Sequence, residues 1–199
     1  MIKHSKGVEK EFFLEKFAMS EKNPWKMVST RLVYENSWMR VREDQVVTPQ
    51  GSPGIYSVVE ARLAVGVIAL TDDQHVYLVG QYRYPTDQYS WEIPEGGAEI
   101  GEEALTTAQR ELREETGVEA SCWEELGGEV HTSNCFTAER GVLFLAQGLS
   151  VGESEPDETE QLKVKKVPLV DAIAMVDAGE IQDGLSIIAL LRLARKLGV

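Results

Sequence analysis

The chain is poor in cysteine, with Cys122 and Cys135 alone among its 199 residues. The two cysteines follow neither a metal-binding nor a redox spacing. The sequence therefore gives no sign of a cysteine metal site or a thiol redox centre. A reduced, cytoplasmic setting is the simplest expectation.

Long apolar runs are also missing. Apolar residues make up 43% of the chain, an ordinary share, yet no run approaches the ~18 residues of a membrane-spanning helix. The first residues, MIKHSKGVEKEFF, lack the apolar core of a signal peptide. We therefore expect no membrane partner. The length suits one domain with a real core plus an extension.

Positive charge is scarce, with 20 basic against 33 acidic residues and a net charge of −13. Nucleic-acid binding is largely electrostatic, so this balance argues against bare nucleic acid as a partner. A small phosphorylated substrate remains compatible with an acidic cleft if a cation bridges the two, because the charge of the cation inverts the local electrostatics.

The most informative segment is 96–118, GGAEIGEEALTTAQRELREETGV. Its stretch 103–116 has strong helix formers and no internal glycine or proline, and Gly117 is placed as a helix stop. At helical spacing the acids share one face, and an apolar stripe lies roughly 100° away. The acids are Glu111, Glu114 and Glu115; the stripe is Leu105, Ala108 and Leu112.

Clustered carboxylates on one helix face require an explanation, because like charges four residues apart cost roughly 0.2–0.5 kcal/mol even in water. Arg110 precedes Glu114 by four residues and can pair with it. A solvated acidic helix is the simple alternative. Carboxylate oxygens without nearby cysteine or histidine are hard ligands, which suit Mg²⁺ or Mn²⁺ better than zinc.

The spacing of Gly96, Glu102, Arg110-Glu111-Leu112, Glu114-Glu115 and Gly117-Val118 resembles the signature of the Nudix hydrolases at every fixed position. The resemblance implies a loop–helix–loop that holds divalent cations against a diphosphate. It implies that Glu111, Glu115 and the carbonyl of Glu95 are metal ligands. It further implies that Arg110, Glu102 and Glu114 orient them.

The remaining pattern predicts the architecture around this segment. An amphipathic arm (1–24) is followed by three antiparallel strands at 27–34, 39–48 and 54–62, and we expect this N-terminal part, about residues 1–60, to form a homodimer contact. Residues 61–199 contain strands at 63–70, 76–85, 90–94, 141–148 and 162–169, and helices at 170–178 and 186–197. We expect an α/β fold: a Nudix-type α/β/α sandwich with a mixed sheet, preceded by a small antiparallel extension.

The flanking segments QYRYP, SWEIPEGG, PDETEQLKV and GEIQDGLSIIAL resemble the ADP-ribose and nucleoside-diphosphate-sugar pyrophosphatases. The resemblance implies that Arg83 contacts the diphosphate, unless it is a surface arginine. Trp38 would stack on the nucleobase or be a half-buried strand residue. Glu139 would lie near the terminal ribose or the water. Glu158 would be the catalytic base and Glu160 a supporting acid or metal ligand, unless their loop is a solvated charge run.

One turn departs from the ADP-ribose-specific pattern. That pattern has Ser-Pro-Gly where this chain has Ser133-Asn134-Cys135. We therefore expect a nucleoside-diphosphate-sugar substrate without strict ADP-ribose specificity, and a structural role for Cys135. Two alternatives remain: a Nudix pyrophosphatase for nucleoside triphosphates or capped RNA ends, and a non-catalytic nucleotide-sensing module.

Overall fold

A computed structural model describes residues 22–152 and 162–199 of the chain. Most of the predicted arm at 1–24 therefore lies outside the described residues, as do Glu158 and Glu160. The described parts contain three β-sheets and three α-helices.

The N-terminal sheet has three antiparallel strands in sequence order, which confirms the predicted extension. The turn between the first two strands is held by Asn36, whose side-chain oxygen accepts the backbone N–H groups of Trp38 and Met39, both at 2.9 Å. Because this asparagine fixes the turn, it also fixes where Trp38 emerges. The strands are β1 (Lys26–Glu35), β2 (Met39–Val47) and β3 (Pro53–Ala61).

The rest of the described chain carries eight further strands. They are β4 (Ala64–Ala69), β5 (His75–Arg83), β6 (Gln88–Glu92), β7 (Glu95–Gly97), β8 (Val118–Glu125), β9 (Val130–His131), β10 (Arg140–Val151) and β11 (Lys163–Pro168). Five of them form the predicted mixed sheet, in the order β7-β4-β10-β8 with β9 paired to β10. The other three form an antiparallel sheet in the order β11-β5-β6.

The three helices begin and end close to the predicted positions: α1 (Ala104–Thr116), α2 (Leu169–Asp177) and α3 (Gly184–Leu197). Gly117 ends α1 in the left-handed conformation, with φ 69°, which glycine adopts without steric cost. Asp183 caps α3 by accepting the backbone N–H of Ser186 at 2.7 Å. No helix in the described ranges is long and apolar enough to cross a membrane.

Strand β4 lies at the centre of the molecule and is buried on both faces, as its continuous apolar run predicts. Alternate side chains point to opposite faces of a strand. Val65, Val67 and Ala69 pack with α1, whereas Ile68 joins a second core with α2 and α3. The helices therefore cover both sides of the mixed sheet, which confirms the predicted α/β/α layers.

The apolar stripe predicted for α1 is wrong at Leu105, which is 40% exposed, while Ala108 and Leu112 are fully buried. Leu105 lies in the first turn of the helix, beyond the edge of the core. Glu115 is only 3% exposed, because its position on the helix is about 20° from that of Ala108 at 100° per residue. One of the candidate metal-ligand carboxylates therefore lies at the margin of the hydrophobic core.

The N-terminal sheet is attached to the rest of the molecule through the segment 135–138. The N–H of Val59 donates to the carbonyl of Phe136, and the carbonyl of Val59 accepts the N–H of Ala138, both at 2.8 Å. The Tyr56 hydroxyl donates to the carbonyl of Cys135 at 2.7 Å. The turn that departs from the ADP-ribose-specific pattern is thus bonded to β3 through its backbone.

Candidate active site

A cavity of about 600 Å³ opens between the N-terminal sheet, β7 and α1. It is lined by residues from six separate parts of the sequence, which brings the predicted site residues of the described chain into one region. The predicted residues that line it are Trp38, Arg83, Glu95, Arg110, Glu111, Glu114, Glu115 and Glu139.

Gly96 explains how the acidic face of α1 reaches the strand beside it. A Cβ atom added at Gly96 would overlap the carboxyl group of Glu111. The absence of a side chain therefore lets the Glu111 carboxylate lie directly against the backbone of β7. The signature therefore needs a glycine at position 96 because the carboxylate of Glu111, fifteen residues later, occupies the space of a side chain there.

Glu115 is fixed by a backbone donor. The N–H of Glu95 donates to Oε2 of Glu115 at 3.0 Å, which joins the C-terminal part of α1 to the start of β7. The expected metal ligands are the carbonyl of Glu95 and the carboxylates of Glu111 and Glu115. All three residues line the cavity.

Arg110 holds the acids of the segment in place. Its guanidinium donates to Glu102 at 3.1 Å, to Glu111 at 2.6 Å and to Glu114 at 3.1 Å. It also donates to the carbonyl of Gly97 at 3.2 Å. The predicted pairing of Arg110 with Glu114 is present, and the same arginine spans the loop and the helix.

The ion pair between Arg110 and Glu102 shifts the pKa of both groups. Hydrogen bonds from Arg110, followed by the backbone N–H of Glu99, lower the pKa of Glu102 to about 2. The hydrogen bond with Glu102 is also the main reason that the pKa of Arg110 is raised above its ordinary value, with further support from Glu111 and Glu114. Both groups are therefore charged at neutral pH.

The donor set fits a hard divalent cation. Among the residues that the structure describes, no three Asp, Glu, His or Cys side chains converge closely enough to hold a metal by themselves. A pair of carboxylates with one carbonyl is nevertheless typical of Mg²⁺, which keeps several waters and takes further ligands from substrate phosphates. Glu111, Glu115 and the carbonyl of Glu95 supply oxygen donors of that kind.

Arg83, which also lines the cavity, is paired with the buried Glu92 and the partly buried Glu95. Its Nε donates to both carboxylate oxygens of Glu92 at 3.0 Å, and one terminal nitrogen donates to Glu95 at 3.2 Å. Burial disfavours the charged form of Arg83, but the ion pairs with Glu92 and Glu95 outweigh it and raise its pKa. Its predicted contact with a diphosphate would have to coexist with these bonds.

The Glu95 side chain is placed where ionisation is unfavourable. Burial, followed by repulsion from Asp183 and Glu92, raises the pKa of Glu95 well above its usual range, although Arg83 opposes the shift. Its Oε2 is buried and has no hydrogen-bond partner among the described residues. The shift in pKa concerns the side chain, whereas the expected metal donor of Glu95 is its backbone carbonyl.

Trp38 and Glu139 reach the cavity from distant segments. Trp38 lies in the β1–β2 turn, just before β2 begins at Met39, and is largely exposed, so the alternative of a half-buried strand residue does not describe it. Glu139 accepts a hydrogen bond from the Thr132 hydroxyl at 2.6 Å, and its N–H donates to the Thr137 hydroxyl at 2.9 Å. The Cys135 thiol is exposed and does not line this cavity.

Two charged residues of this region were not predicted from the sequence. Glu92 is the buried partner of Arg83, and the signal was an acid inside the apolar stretch SWEIP. Arg62 lines the cavity and pairs with Glu99. The signal for Arg62 in the sequence was weaker, because its position opposite Glu99 depends on the pairing register between β4 and β7.

Comparisons with known protein families agree with this geometry. Residues 60–187 match the family model described as NUDIX domain, and residues 25–59 match the model described as Nucleoside diphosphate sugar hydrolase N-terminal domain. The boundary between the two matches falls at the end of β3. The N-terminal sheet and the layered domain are therefore both recognised units.

Two relatives and one solved structure illustrate the similarity. An ADP-ribose pyrophosphatase of Bacillus subtilis is 35% identical over 79% of this chain and 86% of its own length. A methanol dehydrogenase activator of Bacillus methanolicus is 34% identical over 82% of this chain and 89% of its own. A crystal structure of an ADP compounds hydrolase shares the fold, with TM-score 0.77, 22% identity and coverage of 87% of this chain and 94% of that one.

The matched domain covers well over half of the chain, and its signature glycine and acids meet in one cavity. The chain belongs to the Nudix family.

Proposed function

We propose that the protein hydrolyses the diphosphate bond of a nucleoside diphosphate sugar such as ADP-ribose. The products would be a nucleoside monophosphate and a sugar phosphate. The observation that carries the proposal is the single cavity that is lined both by Trp38, from the turn between the first two strands of the N-terminal sheet, and by the signature acids of α1. The match of that sheet to a nucleoside diphosphate sugar hydrolase domain supports it.

Nudix hydrolases generally use a divalent metal, and we propose Mg²⁺, with Mn²⁺ as a substitute. Glu111, Glu115 and the carbonyl of Glu95 would hold it. When bound, the cation would neutralise charge on the phosphoryl oxygens and lower the pKa of an attacking water. The hard oxygen donors and the ordered acids of α1 support this assignment.

The side chains of the chain itself would orient the reaction. Arg110 holds Glu111 and Glu114 in position through the hydrogen bonds described above. Trp38 would stack on the nucleobase, and Arg83 would stabilise negative charge on the diphosphate. Glu139 would lie near the terminal ribose or the attacking water. Glu158 as base and Glu160 as a further metal ligand complete the proposal from outside the described residues.

We further propose a homodimer in which the N-terminal sheet forms the contact. Every residue of strand β1 is exposed, including its apolar side chains. An exposed apolar surface of this kind is typical of a contact with another protein chain. The exposed apolar residues of this sheet include Met27, Val28, Leu32, Val33 and Ile55. We expect a cytoplasmic setting and no nucleic-acid partner, in keeping with the net charge of −13.

The proposal is tested by incubating the protein in Mg²⁺ with nucleotide sugars, nucleoside triphosphates, capped RNA and dinucleoside polyphosphates, and by separating the nucleotide products by anion-exchange chromatography. We expect cleavage of several nucleotide sugars, including ADP-ribose, and loss of turnover when EDTA removes the cation. Turnover of triphosphates or caps without any nucleotide sugar would contradict the proposed substrate. Binding without turnover, measured by calorimetry in Mg²⁺, would indicate a nucleotide sensor.

The variant Glu115→Gln tests the role of the signature acid. The amide keeps the size of the side chain but removes the negative charge that a cation needs. We expect the hydrolysis rate to fall by on the order of 100-fold or more, with an unchanged circular dichroism spectrum. Unchanged activity would remove Glu115 from the metal site.

A further inference from the structure

Three basic residues line the cavity of the described structure, namely Arg62, Arg83 and Arg110. They differ in the acids to which they already donate hydrogen bonds. Arg83 donates to two acids of low exposure, and Arg110 donates to three acids that are themselves part of the signature. A substrate phosphate would have to compete with partners that are held in place. Arg62 is different.

Arg62 is paired with an exposed acid. Its terminal nitrogens donate to Glu99 at 2.7 Å and to the carbonyl of Ser37 at 3.0 Å. The Glu99 side chain is 63% exposed, whereas the Arg62 side chain is 31% exposed. Exposed ion pairs contribute little because water and salt screen them. Glu99 can therefore turn into solvent and release one side of the guanidinium.

The position of Arg62 follows from the sheet. Ala64 pairs with Gly97 in the antiparallel register of β4 and β7, and the hydrogen bond from Ala98 to the carbonyl of Leu63 continues that pairing at 2.8 Å. Arg62 and Glu99 are therefore directly opposite one another at the next step. The backbone of Gly97 packs against the aliphatic stem of Arg62, since a Cβ there would lie 3.6 Å from its Cβ and Cδ.

The guanidinium of Arg62 keeps donors in reserve. Arginine has five N–H donors, and the two bonds to Glu99 and Ser37 leave three of them for a ligand. Arg62 is bonded to Ser37, the residue before Trp38, and it lines the same cavity as Trp38 and the acids of α1. A diphosphate that joins a base at Trp38 to a reacting centre at Glu111 would pass this side chain.

We propose that Arg62 is a substrate-binding residue that donates hydrogen bonds to the diphosphate on its nucleoside side. The inference rests on the proposed function for the position of the substrate. Arg62 would exchange the bond to Glu99 for a charge-assisted bond to a phosphate oxygen, and would keep the bond to Ser37 that orients it. Arg62 thereby links recognition of the base to recognition of the diphosphate.

Calorimetry in saturating Mg²⁺ with two probes, imidodiphosphate and adenosine, tests the proposal without turnover. We expect Arg62→Ala to weaken imidodiphosphate binding about 10–100-fold, the range of a hydrogen bond to a charged group, and to leave adenosine binding within about twofold. Arg62→Lys should be intermediate, because lysine keeps the charge and loses the planar fork. Lys196→Ala is the control, since it removes a cation from an exposed pair with Glu124 on another part of the surface.

Three results would overturn the proposal: equal binding of imidodiphosphate by the wild type and Arg62→Ala, a loss confined to adenosine, or a wild type that does not bind imidodiphosphate. A loss confined to adenosine would mean that Arg62 only holds the turn before Trp38. Steady-state kinetics separate this inference from the proposed function. If the wild type cleaves nucleotide sugars, Arg62→Ala should raise KM with little change in kcat; a wild type inactive on them, with the calorimetric loss intact, would contradict the proposed function alone.

Discussion

At the scale of single residues, the site depends on a glycine and an acid that lie far apart in sequence but touch in space. Gly96 has no side chain where Glu111 brings its carboxylate against β7. Glu115, which shares that helix face, is bonded to the backbone of Glu95. The expected metal ligands are therefore positioned by contacts with backbone, which leaves little freedom for substitution.

The first prediction concerns Gly96→Ala. The added methyl group overlaps the Glu111 carboxyl group, so we expect this acid to be displaced and the hydrolysis rate to fall on the order of 100-fold, as for other misplacements of about 1 Å. Gly128→Ala is the matched control, because open space surrounds a Cβ at that position. Steady-state rates of both variants make the comparison; equal rates would contradict the steric argument.

At the scale of one element, α1 begins without a side-chain cap, since Glu103 at its N-cap position makes no capping hydrogen bond. The loop before the helix is instead held by Glu102. This acid accepts the backbone N–H of Glu99 at 2.9 Å and two hydrogen bonds from Arg110. Glu102, a signature acid that does not line the cavity, thus fixes the entry to the helix.

The second prediction follows from the pKa of Glu102, which is about 2 in the folded protein against its usual 4.5. A lowered pKa stabilises the fold above the unfolded value, and this contribution is lost as the pH falls from about 4.5 to 2. We expect Glu102→Gln to lower the urea midpoint at pH 7, with the gap to the wild type narrowing below pH 4.5. If the difference between the two urea midpoints grew at acidic pH, the lowered pKa of Glu102 would not be its cause.

At the scale of the whole molecule, two units share one cavity. The N-terminal sheet is bonded to the segment 135–138 through Tyr56 and Val59, and it supplies Trp38 to the cavity wall. The same sheet leaves apolar side chains in contact with water. Its two tasks, completing the site and contacting a second copy, would be coupled in the proposed dimer.

The third prediction tests that dimer. Val28 on β1 is 68% exposed, and a lysine there would place an unpaired charge in the proposed contact. We expect the wild type to sediment as a dimer and Val28→Lys to shift toward the monomer in sedimentation velocity. Val170→Lys on α2, also an exposed valine, should leave the assembly unchanged. A wild type that sediments as a monomer would contradict the proposal.

The predictions that succeeded depend on short-range periodicity. The helix α1 with its stop at Gly117, and the strand β4 buried on both faces, follow from patterns within about 20 residues. Where the pattern was weak the prediction was wrong or absent: Leu105 is exposed, and β8 was not foreseen because its VEASCWEE stretch alternates poorly. Periodicity does not show where a core ends, nor which strands share a sheet.

The sequence by itself determined the arrangement of the signature acids, because helical geometry alone places Glu111, Glu114 and Glu115 on one face next to Arg110. Only the tertiary structure decided what surrounds that face. Contacts between segments distant in the chain bring Trp38 and Glu139 to the cavity, pair Arg83 with Glu92 and set Arg62 opposite Glu99. Such contacts depend on the packing of whole elements, which no local pattern encodes.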